Sequence, residues 1–597
     1  MRPKNRFYAT RFMAVMMLLA IVSFAPGLCA EDGNGGSAAT PVEASPPAGN
    51  PSNIETAALK AQVARQQARI DQLERTLNAV LRRLDQLDPE RASNPAPSEP
   101  AQLASSAPML PAAAVKRDET AKLSPPMAPP TDSGILMKPT TAAAAPAMTA
   151  AVRSQSDAAK PKTSPLSIPI GNAEFTPGGF MDFTNVFRST NTGSATATSF
   201  GTIPYSVIGG TPNAAGRMSE YRALAQNSRI SMKITSEVSG FNIAGYIEGD
   251  FAGNNPSSLF VTSNSSTFRL RHYLVQFSRG KFEMVGGQTW SLMTPGRTGI
   301  SPWSTDVFIS QVQDANYQLG ITWGRQSQLR LVYHPNKEWA MAFSAENPNQ
   351  YLSAGVVLPS TTFSGQFDVA GNQVTTPNLH PDMVAKVAYD PVVNGKHMHA
   401  ELGGIVRSFR VFNPATNTSS ATTGGGVTAG LNLEVMKNFH FIVNGFYDDG
   451  GGRYILGLGP DVIVKPDGTL SAVHSGSGVA GFEYQFNPKI LLFSYYGSAY
   501  FQRNTGYTLV DGRPVWVGFG APVSGATAAT TELAANRAVQ EPTFGFARTI
   551  WKNPKLGTLL WVNQYSYLTR DPWVVPAGTA KNAHLGMAFT DLRYILP

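Results

Sequence analysis

Basic side chains recur at alternate positions in otherwise apolar stretches of this 597-residue chain. Arg229 and Lys233 are four apart, Arg269 and Arg271 are two apart, and Arg330 and Lys386 hold the same phase in later stretches. Glu248 and Asp250 fall between them, and Arg297 lies in a long polar connection. Side chains two or four apart share one face of an extended strand. Several cations on one water-facing wall would attract anions and set a selective field. The carboxylates could equally pair with them and leave only a solvated wall. Over residues 171–597 the balance is 30 − 26 = +4, so selectivity would need a local cluster.

Other constellations carry less. GSGVAG (Gly476–Gly481) fits a dinucleotide fingerprint, but it leads into FEYQF, a strand and not a helix. His397 and His399 share a face without an evident third ligand, so no metal site is expected. Asp448-Asp449 before three glycines reads as a plain loop. With no nucleophile elbow and no phosphate loop, no catalytic residue, cofactor or enzyme activity is expected. No basic stripe points to nucleic acid.

The charges are set on strands. In Arg229–Phe251, Ile230, Met232 and Ile234 alternate with Arg229, Ser231 and Lys233. After Ser239-Gly240 the alternation resumes, with Glu248 and Asp250 on the polar face. Two strands of about 10 residues joined by a two-residue turn make a hairpin of membrane-spanning length. One apolar face and one charged face suit a barrel in lipid with a wet lumen. Requiring short and long connections to alternate gives sixteen strands. They start at Gly179–Phe187, continue through the hairpin, Phe268–Phe277, Phe282–Trp290, Gln326–His334, Trp339–Glu346, Met383–Asp390, His397–Phe409, Gly426–Val435, Phe439–Asp448, Gly478–Phe486, Ile490–Phe501, Thr543–Trp551 and Gly557–Leu568, and end at Ala583–Leu596. Eighteen is the nearest alternative. On strand four, Phe268, Leu270 and Leu274 are assigned to the face away from the arginines, and aromatics near strand ends, Trp290 among them, to interfacial girdles. The loop from Leu292 to Trp323 is the candidate to fold inward and narrow the lumen.

Upstream, Arg2, Lys4, Arg6 and Arg11 precede an apolar run, Phe12–Phe24, so residues 1–30 read as an export signal. Cleavage after Ala30 would remove Cys29, the only cysteine. A flexible segment, 31–53, follows. Residues 54–88 are heptad-patterned, with Val63, Ile70, Leu77 and Leu84 at a and Leu73 and Val80 among the d positions. Arg69 at g and Glu74 at e complete RIDQLE, which resembles a short signature of trimeric coiled coils. Residues 89–170 are rich in Pro and Ala and read as a disordered tether. Residues 171–597 form the barrel. The fold class is therefore all-β and transmembrane, a 16-stranded antiparallel barrel of porin type, preceded by an α-helical coiled coil and a linker.

Export signal, coiled coil, tether and Gly-rich barrel together resemble the DcaP-like porins of Gram-negative bacteria. RLRHYLVQF with GGQTWSLM, and later SQLRLVYHP with FSAENP, look like that family's fourth to seventh strands. The resemblance implies a homotrimeric outer-membrane channel for passive diffusion of small anionic solutes such as dicarboxylates. Its stalk would stand in the periplasm, where it could reach peptidoglycan. A sugar-specific porin and a structural outer-membrane anchor are the alternatives.

Overall fold

The structure, a computed structural model, describes residues 164–253, 265–303, 311–360, 362, 364–369, 376–524 and 528–597. The export signal, the segment 31–53, the coiled coil with Val63, Arg69, Ile70, Leu73, Glu74, Leu77, Val80 and Leu84, and the tether up to residue 163 lie outside the described residues.

Alternation of apolar and polar residues becomes a closed antiparallel barrel of 16 strands. They are β1 (Ala173–Arg188), β2 (Arg229–Val238), β3 (Phe241–Asp250), β4 (Arg269–Arg279), β5 (Phe282–Trp290), β6 (Arg325–Tyr333), β7 (Trp339–Glu346) and β8 (Asp382–Tyr389). The second half is β9 (Lys396–Asn413), β10 (Thr418–Met436), β11 (Phe439–Asp449), β12 (His474–Asn487), β13 (Ile490–Phe501), β14 (Asn536–Asn553), β15 (Gly557–Pro572) and β16 (Ala583–Ile595). Each strand pairs with the next, and β16 closes on β1 from Phe180↔Ile595 to Arg188↔Met587. Closure leaves no edge, as a wall in lipid requires. Among the described residues no helix is long and apolar enough to cross a membrane.

Burial follows the pleat. On β6, Leu329, Leu331 and Tyr333 face outward, while Gln328, Arg330 and Val332 are buried within. At the β2–β3 turn both Ser239 (φ 52°) and Gly240 (φ 77°) are left-handed, the primed geometry whose twist matches a hairpin.

Four expectations are corrected. Glu248 pairs with His272 but Gly249 with Leu270, so a β-bulge at Arg271 reverses the phase of β4 and turns Leu274 inward, 7% exposed. Trp290 is buried at 1% exposure against Tyr317 and Trp323, away from any girdle. Between β9 and β10 the long loop is mostly hairpin, because the ladder continues from Phe409↔Thr422 to Asn413↔Thr418. Ile168–Ile170, within the stretch read as tether, pairs with Ala173–Phe175.

The inner wall is not uniformly polar. Ile442 on β11, Val479 on β12, Phe493 on β13 and Val562 on β15 form an apolar patch. Val312, Tyr317, Ile321 and Trp323 of the β5–β6 loop cover it. Removing both surfaces from water is what draws this loop inside.

Candidate functional site

The bulge brings three arginines onto two carboxylates at the long-loop ends of β2, β3 and β4. Arg271 donates from Nε to Glu248 (2.7 Å) and from Nη1 to Asp250 (2.8 Å). Arg269 grips Asp250 with both prongs of its fork, at 3.0 and 2.7 Å. Arg229 Nη1 lies 3.6 Å from Glu248, with its guanidinium 5.1 Å from the Phe180 ring. Tyr246 donates its hydroxyl to the other Glu248 oxygen (2.8 Å).

A fourth guanidinium stands beside them. Arg325 lies 6.0 Å from the Trp290 ring, as does Arg271 at 5.9 Å. It has no carboxylate within ion-pair distance among the described residues, and its Nε and Nη1 are buried without a partner. Among the described residues, four guanidiniums around two carboxylates leave 4 − 2 = +2 in this cluster. Solvent still reaches Arg269, whose side chain is 20% exposed, and Lys233, whose ammonium sits 4.8 Å from the Trp303 ring.

The β5–β6 loop crosses to the far wall and is tied there. Gly296 N donates to Glu401 on β9 (2.9 Å), and Gly299 N to Asp390 just after β8 (3.0 Å). Arg297 meets Glu483 on β12 through both nitrogens, at 2.8 and 3.1 Å. Leu319 N donates to Glu541 on β14 (2.8 Å). Lys386 joins the same tether, bonding the Thr294 carbonyl (2.8 Å) and Glu401 (3.0 Å). His399 bridges Asp390 and Glu401 from opposite ring nitrogens, so those carboxylates diverge and do not converge on one point. In the loop, Asp314 accepts from Asn316 N (2.8 Å) and Thr198 N (3.2 Å). Burial pushes its carboxyl up to about 6, with Arg188 pulling the other way.

The set read from sequence therefore divides. Arg229, Arg269, Arg271, Glu248 and Asp250 form one wall cluster, with Lys233 close by. Arg297 and Lys386 hold the loop. Arg330 stays on the wall, bonded to Gln328 (3.0 Å) and the Trp290 carbonyl (2.5 Å). Arg325 was not foreseen. It opens β6 opposite Trp290, where strand phase no longer decides which way a side chain turns. Glu401, Glu483 and Asp390 carried no local signal; each is defined by a loop that reaches it across the lumen.

Closed barrel, apolar exterior and inward loop define a membrane channel fold. No family model matches the chain, and no curated protein does. Among solved structures, the barrel shares its fold with the outer membrane channel DcaP of Acinetobacter baumannii, at 18% identity and a TM-score of 0.50, over 72% of this chain and 99% of that one. Weaker likenesses are the anion-selective porin of Comamonas acidovorans (12% identity, TM-score 0.40, 71% and 100% covered) and the outer-membrane OmpT of Vibrio cholerae (9%, 0.38, 72% and 99%).

Proposed function

We propose that this chain is an outer-membrane porin of the DcaP-like kind, a passive channel for small polar anions such as dicarboxylates. One observation carries the reading: four guanidiniums surround two carboxylates on the inner wall, facing a loop that occupies the lumen. In a confined aqueous path that excess favours anions, whatever the sum over the barrel. The proposed assembly is a homotrimer in outer-membrane lipid, with a periplasmic stalk that could touch peptidoglycan. The sugar-specific alternative needs exposed lumen aromatics; Trp290, Tyr317 and Trp323 are at most 5% exposed.

Reversal potentials across a salt gradient in planar bilayers test this. Anion preference, reduced by Arg269→Gln together with Arg325→Gln, is the expected outcome, with dicarboxylates blocking better than maltodextrins. Cation preference in the unaltered protein would refute it, and absence of any current would favour an anchor.

A further inference from the structure

On the outside of the barrel, at the short-turn rim, the wall carries a cavity of about 340 Å³ lined by Asn487, Lys489, Ile490, Phe546, Arg548 and Trp561. Arg548 is out of place for an apolar wall. Its neighbour Ala547 faces inward, 1% exposed, so Arg548 projects outward with Phe544 and Phe546 and pairs across the sheet with Ile490 and Trp561. Its depth follows from the ladder: Ile490 opens β13 directly after the β12–β13 turn, and Thr549 N donates to the Lys489 carbonyl of that turn (2.7 Å). The guanidinium is therefore level with the rim, where apolar wall gives way to headgroups.

The surrounding charge has one sign. Lys489, Arg548, Lys552 and Lys555 lie in two segments, 484–501 and 542–570, that contain no Asp or Glu. Neither Lys489 nor Arg548 has an ion pair among the described residues. Beside them Phe546 and Trp561 meet edge to face, with centroids 5.7 Å apart, and make the apolar side of the groove. Unpartnered cations above an aromatic-apolar slot complement one ligand, an anionic amphiphile with its phosphate at the rim and its chain along the wall.

We infer that this groove binds an anionic glycerophospholipid of the leaflet at the short-turn rim, its phosphodiester on Arg548 and Lys489 and an acyl chain against Ile490, Phe546 and Trp561. The inference rests on the membrane-barrel reading and does not depend on solute selectivity. A larger wall groove, of about 550 Å³, offers Arg279, whose guanidinium already lies 5.0 Å from the Phe241 ring.

The test uses the full chain in mild detergent with equimolar phosphatidylglycerol and phosphatidylcholine, and bound lipid counted by native mass spectrometry. Phosphatidylglycerol should be retained roughly tenfold over phosphatidylcholine. Lys489→Gln with Arg548→Gln should abolish that preference while heat-modifiable gel migration and channel current stay unchanged. Absence of current from the unaltered protein would count against the channel reading and leave the lipid result standing. Equal retention of the two lipids, or unchanged preference in the double variant, would overturn the inference. So would binding of inorganic phosphate without the lipid, or cross-linking between Arg548→Cys copies in lipid vesicles, which would make the groove a contact between copies.

Discussion

The pair that fastens the loop gives the sharpest quantitative test. Arg297 and Glu483 have side chains 12% and 7% exposed and meet through two hydrogen bonds; Glu483 also accepts the Tyr495 hydroxyl at 2.7 Å. Removing the arginine leaves a buried carboxylate with one neutral donor. Stranding one member of a buried pair costs about 3–5 kcal/mol, while replacing both members by uncharged groups of similar size is often near neutral. The remaining tyrosine bond places Arg297→Met near the lower figure, roughly 3 kcal/mol. Glu483→Gln should cost slightly less, because the Arg297 side chain, 12% exposed, can turn its charge toward water. Arg297→Met with Glu483→Gln should lose less than Arg297→Met alone, a coupling of about 3 kcal/mol. Urea unfolding of the barrel in lipid vesicles, read by heat-modifiable migration, gives each corner of the cycle. Additive losses, with the double variant weaker than either single one, would refute the claim that the tether is held by mutual neutralisation.

Two further perturbations probe the loop's seat. A Cβ at Gly497 on β13 would collide with the Leu319 carbonyl, so Gly497→Val should lift the loop from the wall, cost about 1–3 kcal/mol, and raise both single-channel conductance and current noise; unchanged conductance would count against a seated loop. Asp314, ordinarily 3.8 and pushed up to about 6, penalises the folded state fully above pH 6 and progressively less as pH falls from 6 to 4. Asp314→Asn should therefore stabilise the protein by about 3 kcal/mol at pH 7.5 and by less than about 1 kcal/mol at pH 4, which paired urea titrations at the two pH values would check.

Where strands cross hydrocarbon, the sequence reads almost to the residue: Phe282–Trp290, Trp339–Glu346 and Ile490–Phe501 coincide with β5, β7 and β13. Lipid on one side and water on the other impose a period of two, and nothing competes with it. Legibility fails where strands leave the membrane. Thr418–Thr423 and Asn536–Pro542 extend β10 and β14 beyond the ends read from pattern, because water on both faces removes the alternation. The bulge at Arg271 has no glycine or proline on its own strand to announce it, only Gly249 across the ladder, yet it decides that Arg271 and His272 both point inward and that Leu274 follows. Arg229, Arg269, Arg271, Glu248 and Asp250 were legible as one set because they lie on one face of three consecutive strands. Which of them pair, and that Arg325 joins them, was not, since both depend on where the phase breaks.

The two halves of the inner wall explain each other. From β11 to β15 the wall carries Ile442, Val479, Phe493 and Val562, residues that a water-filled lumen would leave unfavourably wet. The β5–β6 loop supplies the complementary surface and is locked down by carboxylates at Glu401, Glu483 and Glu541 on β9, β12 and β14. Those carboxylates are thereby engaged and cannot offset the guanidiniums on β2, β4 and β6. Had the loop stayed outside, Glu483 and Glu541 would face the lumen, and the excess of four guanidiniums over two carboxylates would be diluted by them. On the proposed anion-channel reading, charge selectivity and loop seating are thus one design. A change that frees the loop should weaken anion preference without touching any arginine of the cluster, and Gly497→Val is the variant in which both effects are measured in one bilayer.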